Sequence, residues 1–296
     1  MCYTDGEDFL QKLQSEVFAV FWARVLEILD AEMTCPLPYG WFHLLFFAVS
    51  IIAGVLLCIF FKDAEKYAPR VVLITAVTVI LLEVYKMINF GFSYEDGISY
   101  SFPWSSVPWQ FCSTPMYVGL LAGLIRRGAV HRSLCAYLAT YAMFAGLCVM
   151  IYPNSVFIDT IGINIQTMIC HGSMLSIGIY LLGSGYVKAE HKTVLHALPV
   201  FCAAVAVAMG LNEWAYRTGM LEDHYFNMFY FSPHAAPHLP LYSNVQNALG
   251  VDNPLSFIIY VAGFTLASYL VLLLAMGVRA LITRKTAAKE TVAAAQ

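Results

Sequence analysis

Two short stretches carry reactive side chains inside otherwise apolar runs. VPWQFCSTPMYV, residues 107–118, holds Gln110 and Cys112. INIQTMICHGSMLSIGIYLL, residues 163–182, holds Cys170 and His171. A cysteine with a histidine beside it is the raw material of thiolate catalysis. The imidazole takes the thiol proton, and the sulfur attacks a carbonyl to form a thioester. A neighbouring carboxamide orients the imidazole or donates to the oxyanion. Cys170 is an alternative nucleophile, but it adjoins His171 in sequence and points about 100° away from it on a helix. Spacing alone does not show that Cys112 and His171 touch.

Other polar residues stand where apolar ones are expected. Glu83, Lys86 and Asn89 end one apolar run, and Glu83 and Lys86, three apart, share a helix face. A buried ion pair that fixes packing and a role at a site fit these two equally well. GLNEWAYRTG, residues 210–219, brings Asn212 and Glu213. YFNMFYFSPHAAPHLP, residues 225–240, brings Asn227, His234 and His238, with Asp223 and His224 just before it. Two histidines four apart share a metal on a helix, but Pro233, Pro237 and Pro240 rule out a regular helix there, and no metal site is expected.

These residues must be positioned by helices in a membrane. Of the 296 residues, 60% are hydrophobic and 12% charged, against about 45–50% and about 25% in soluble domains. A span needs about 20 apolar residues. Seven such runs occur, at roughly 41–61, 70–90, 108–126, 131–152, 163–184, 194–213 and 255–280. Residues 7–32 alternate apolar and charged positions at helical spacing and read as an amphipathic helix lying at the interface. The expected organisation is an N-terminal helix and linker (1–36), an all-α, seven-transmembrane-helix domain (37–283) and a disordered tail (284–296). Pro108 suits the first turn of the third span, and Pro115 is expected to kink it near Cys112.

Basic residues orient the bundle. Lys62, Lys66 and Arg70, then Arg126, Arg127 and Arg132, then Lys188 and Lys192, and finally Arg279, Arg284, Lys285 and Lys289 fall in alternate connections and after the last span. The loops 91–107 and 153–162 hold no Lys or Arg, and 214–254 holds only Arg217. This places the N-terminus outside and the C-terminus inside. Glu83, Lys86, Cys112, His171 and Asn212 then converge, from different helices, on the outer half of the bundle. The net charge of -3 gives no reason to expect a nucleic-acid partner. The eight cysteines are dispersed singly, without a CxxC.

VPWQFCSTPMYVGLLAGL resembles the P-x-(H/Q)-L-C signature of the YwaF-like integral membrane proteins, which include the transmembrane protein 164 acyltransferase. ICHGSMLSIGIYLL is similar to that family's His-Gly helix, and LNEWAYRTGMLEDHYFNMFYFSP to its Asn…Asn-aromatic-aromatic stretch. The likeness covers roughly residues 70–280, with Phe111 where Leu is usual and Trp109 before Gln110. It implies a Cys/His enzyme acting on the acyl chains of membrane phospholipids or other acyl lipids, without a cofactor. Cys112 takes the nucleophile's place, His171 that of the family histidine and Asn227 that of the second Asn. Gln110, Asn212 and Asn227 then position groups or stabilise charge, and Glu83 and Lys86 tune His171 or bind a headgroup. The expected setting is a multi-pass protein of a bacterial cytoplasmic membrane. The alternative is a non-enzymatic transporter or lipid-binding bundle in which the same residues line a cavity.

Overall fold

A computed structural model describes residues 17–294, apart from 19, 95–96, 154–155, 236–238 and 251–252. Six helices are long and apolar enough to cross a membrane. They are α2 (Trp41–Phe60), α3 (Ala64–Gly91), the rod Gly128–Ile151, α7 (Ile161–Gly183), α8 (Lys192–Arg217) and α11 (Pro254–Ala294), whose apolar part ends at Leu281. The rod consists of α5 (Gly128–Tyr137) and α6 (Met143–Ile151), joined by a π turn at Leu138–Ala142. An N-terminal helix α1 covers residues 20–29, and two short helices, α9 (Met220–Asp223) and α10 (Pro240–Leu249), lie in the long connection before α11. A small antiparallel hairpin pairs β1 (Phe92–Ser93) with β2 (Ser99–Tyr100).

The stretch expected as the third span is built differently. Its helix, α4, covers only Thr114–Ile125, about 18 Å at 1.5 Å per residue. Residues 107–113 before it are irregular. Pro115 therefore stands in the first turn of α4, where its missing N–H costs nothing, and does not kink a longer helix. Cys112 lies in the turn that leads into α4. The last helix, α11, runs Pro254–Ala294. Its last stretch, TRKTAAKETVAA, is rich in helix formers and contains no Gly or Pro to stop it.

Antiparallel neighbours set the architecture. α4 packs against α3 through Gly119 and Gly123, a small-xxx-small pair of the kind that lets membrane helices approach closely. A Cβ at Gly119 would stand 3.1 Å from Ala76 Cβ, and one at Gly123 would stand 2.5 Å from Leu73 Cβ and 3.0 Å from Leu73 Cα. Gly123→Val is thus expected to lower stability by about 1–3 kcal/mol through overpacking against backbone that cannot retreat. The measurement is the unfolding midpoint in detergent, and an unchanged midpoint would contradict this packing. On the other side, α7 packs between α2 and α6, with Ser176 Oγ donating to the Ser50 carbonyl at 2.7 Å.

This alternation gathers strands β1 and β2, residues 101–113 and the described residues of the connection 218–253 at one end, the loop-rich face. The short basic connections lie at the other. The end of α1 is tied to the loop-rich face. Tyr85 Oη donates to the Leu29 carbonyl at 2.6 Å, and Asn89 Nδ2 and Thr160 Oγ1 donate to Asp30 Oδ1 at 3.1 and 3.3 Å.

Candidate functional site

Glu83 lies eight residues before the end of α3, about 12 Å below the loop-rich face. A carboxylate at that depth requires a partner. Lys86, one turn on, forms an ion pair with it. Glu83 is 5% exposed, and Gln166 Nε2 on α7 donates to its other oxygen at 3.1 Å. The same Gln166 nitrogen lies 3.4 Å from Cys170 Sγ, and Thr167 Oγ1 donates to Gln166 Oε1 at 3.3 Å. A polar chain therefore runs from Lys86 through Glu83 and Gln166 to a cysteine. Glu83 and Lys86 also act electrostatically on Cys112 and His171.

Cys112 and Cys170 line one small, partly open cavity of about 30 Å³ between α3, α4, the π turn and α7, with Met116 and Ser173 also in its wall. That space suffices for a water molecule, which needs about 10–15 Å³ on this measure. Tyr137, fully buried, places its hydroxyl 2.8 Å from Thr114 Oγ1 and within electrostatic reach of Cys112. His171 is 8% exposed and its Nδ1 stands 2.7 Å from the Thr167 carbonyl oxygen. A carbonyl only accepts, so Nδ1 carries the ring proton and Nε2 keeps a lone pair able to take one. No hydrogen bond joins Cys112 to His171 among the described residues. Sequence reasoning ranked Cys112 and Cys170 as alternatives. The structure places both on one cavity, because Cys170, Ser173, Met174 and Ile177 share a face of α7.

The carboxamides at the loop-rich face act together as backbone clasps. Each carries an N–H donor group and a carbonyl acceptor, the same kinds of group as a peptide unit. Asn212 Nδ2 donates to the Met228 carbonyl at 3.0 Å, and its Oδ1 accepts from Met228 N–H at 2.7 Å. Gln110 Nε2 donates to the Asn227 carbonyl at 2.9 Å, and its Oε1 accepts from Phe229 N–H at 2.8 Å. Asn227 Oδ1 accepts from Ser232 N–H at 3.0 Å. The held segment includes Phe229 and Tyr230 at φ of 59° and 55°, a left-handed pair that costs about 1–3 kcal/mol per residue in non-glycine positions. The strained turn sets Tyr230 within electrostatic reach of Cys112, and burial pushes the Tyr230 phenol up to about 12. Nothing in the sequence pattern marked Tyr230 or Tyr137 as neighbours of the cysteine. Gln110→Ala is expected to leave two backbone groups unsatisfied, at about 1–3 kcal/mol. Hydrogen exchange should then accelerate at residues 227–231 ahead of the helices. Protection that stays unchanged would show that the turn does not depend on the clasp.

The Cys–His pair that does approach closely lies elsewhere. Cys135 Sγ is 3.5 Å from His131 Nε2 near the basic end. Both ring nitrogens of His131 are engaged, with the Ala122 carbonyl at 3.0 Å and Tyr186 Oη at 2.6 Å, which fits a packing role. His234 stacks on Tyr216 at 3.6 Å between ring centres and meets Glu213 at 3.1 Å, so it docks the loop to α8. His238 lies outside the described residues, and among those described no three His, Cys, Asp or Glu side chains are grouped to hold a metal ion.

A bundle of apolar helices with an ion pair, a carboxamide and two cysteines grouped at membrane depth defines an integral, multi-pass membrane protein with an intramembrane polar site. The sequence matches the TMEM164 family over residues 38–276, and the chain belongs to that family. No curated protein and no solved structure matches it.

Proposed function

We propose that this chain is a cysteine-dependent enzyme of lipid metabolism that transfers or hydrolyses phospholipid acyl groups. The observation that carries this reading is the position of Cys112. It lines a water-sized, partly open cavity among the apolar helices, within the field of the Glu83–Lys86 pair. The family resemblance of the Cys112 motif supports the same chemistry. His171 Nε2 takes the Cys112 proton, and the thiolate attacks the ester carbonyl of a donor lipid. The C–S bond forms, the ester C–O bond breaks, and the lysolipid alkoxide takes the proton from His171. A hydroxyl of a second lipid, or water, then gives its proton to His171 and attacks the thioester, which frees the thiolate. Hydrogen bonds of catalytic pairs are often long before substrate binds, so Cys112 and His171 close on each other with the acyl group in place.

In this proposal the chain crosses the membrane seven times. Residues 101–125 provide the third crossing, with the N-terminus outside and the C-terminus inside a bacterial cytoplasmic membrane. The antiparallel contact of α4 with α3 and the basic residues at one end support this orientation. The test is the acyl-enzyme itself. Intact-mass analysis after incubation with phospholipid vesicles should show an acyl adduct that hydroxylamine removes and that Cys112→Ser lacks as a thioester. No adduct, with unaltered lipid, would favour the second reading, a non-enzymatic lipid-binding or transport bundle. The observation on that side is the missing hydrogen bond between Cys112 and His171.

A further inference from the structure

Beside the small cavity lies a much larger groove, of about 470 Å³, between the upper halves of α3 and α4. Its size falls within the range of about 300–1,000 Å³ typical of ligand sites. Ile80, Val84, Met87, Tyr117 and Leu120 make its walls, and the hairpin residues Phe92 and Tyr100, with Pro108, make its rim. The single carboxylate or basic group in its lining is Glu83, beside the phenols of Tyr100 and Tyr117. Val84 is 51% exposed on the open side of the groove.

The groove has a closed end. From Gly119 onward α4 lies directly on α3, where an added Cβ at Gly119 would press on Ala76 and one at Gly123 would overlap Leu73. Above Met116 the two helices part. Met116 is itself buried, and it lines both the groove and the cavity that holds Cys112 and Cys170. Met116 is the one residue common to the two linings. Methionine is unbranched and adapts its shape readily, which suits a movable partition.

We propose that this groove is the binding site for one fatty-acyl chain of a bilayer lipid, which enters laterally between α3 and α4 and presents its carbonyl carbon to Cys112 past Met116. The occupant follows from the surroundings. Residues 80–88 lie within a helix long and apolar enough to span the membrane, so the groove opens onto hydrocarbon, and its wall is apolar except for Glu83 and the hydroxyls of Tyr100 and Tyr117. The cavity at Cys112 is too small for a chain and accommodates only the reacting end. The groove takes the tail, Met116 admits the carbonyl, and the ion pair stands beside the point of entry. This assignment rests on Cys112 as the reactive thiol of the proposed function, and it names the substrate's route to it.

The test uses the full-length chain in nanodiscs of palmitoyl-oleoyl phosphatidylcholine. Two thiol reagents of the same reactive group are compared, hexadecyl iodoacetamide and iodoacetamide, with modification of Cys112 read by peptide mass spectrometry. Wild-type protein should react faster with the hexadecyl reagent. Val84→Trp, on the exposed wall away from the thiol, should lower the hexadecyl rate by about tenfold, the effect of losing roughly two buried methylenes. The same variant should leave the iodoacetamide rate unchanged. Met116→Ala should raise the hexadecyl rate, and Met116→Trp should lower it. Equal falls for both reagents, or no change for either in Val84→Trp, would overturn the groove. So would a wild-type Cys112 that shows no preference for the long chain. Because labelling does not require turnover, a groove that passes while no acyl-enzyme forms would sink the proposed reaction and leave the acyl site standing.

Discussion

Alanine at Cys112 should reduce acyl transfer or hydrolysis in phospholipid proteoliposomes by about a thousandfold or more, the usual consequence of removing a covalent nucleophile. The readout is lysophospholipid formed per unit time, followed by mass spectrometry. Cys170→Ala is the informative companion. Cys170 shares the cavity and accepts a hydrogen bond from Gln166, so its loss should perturb packing while retaining most activity. A large loss in Cys170→Ala with none in Cys112→Ala would reverse the assignment of nucleophile. His171→Gln should cost about 10²- to 10⁴-fold, the usual contribution of a general base. It should also slow acyl-enzyme formation more than it slows folding. If Cys112→Ala and the wild-type chain release lysophospholipid at the same rate, the cysteine mechanism fails outright.

The second large effect concerns stability. Glu83→Leu is expected to destabilise the fold by about 3–5 kcal/mol, because it strands the Lys86 ammonium at membrane depth and leaves Gln166 without its acceptor. Lys86 is 18% exposed by side chain, so part of this loss is relieved if its stem reaches toward the interface. Removing both charges, as Glu83→Leu with Lys86→Met, should recover much of the stability, since apolar replacements of buried pairs are often close to neutral. The double-mutant cycle, measured as unfolding midpoints in detergent, should show strong coupling. Additive effects would mean that the pair does not hold the two residues together. Activity of the double variant gives a separate answer: recovered folding with lost turnover would show that the pair acts on the site and not only on packing.

How far the sequence could be read depended on the kind of signal. Six helices announce themselves because each exceeds the length needed to span hydrocarbon without a break. The third apolar run was also visible, but its first turns are not helical. Two prolines seven residues apart frame an irregular entry, and a hydropathy count does not distinguish entry from helix. The Glu83–Lys86 contact was legible because it is local, set by the pitch of one helix. Meetings between elements were not. Whether Cys112 faces Cys170 or His171 depends on the rotation of α7 about its own axis, which the packing at Gly146 and Gly54 fixes from other helices. The backbone partners of the carboxamides were hidden for a related reason. An Asn at a helix end looks like a charge-stabilising group until the backbone that Asn212 and Gln110 clasp is in view.

The π turn at Leu138–Ala142 carries a different kind of consequence, for the spacing of the gene product itself. A wide turn holds one residue more than the α-helical count, so the segments on either side of it are out of phase by about 100°. Tyr137, just before the turn, meets Thr114, while Gly146, beyond it, lies against α7. A deletion of one residue anywhere in 138–142 would tighten the rod into ordinary helix and leave its composition and hydropathy almost untouched. It would also turn one of those two faces away from its partner. This rod can therefore change length by one residue only if its neighbours change with it, and a single-residue gap in this segment of a related chain would mark a rebuilt wall around the cysteine.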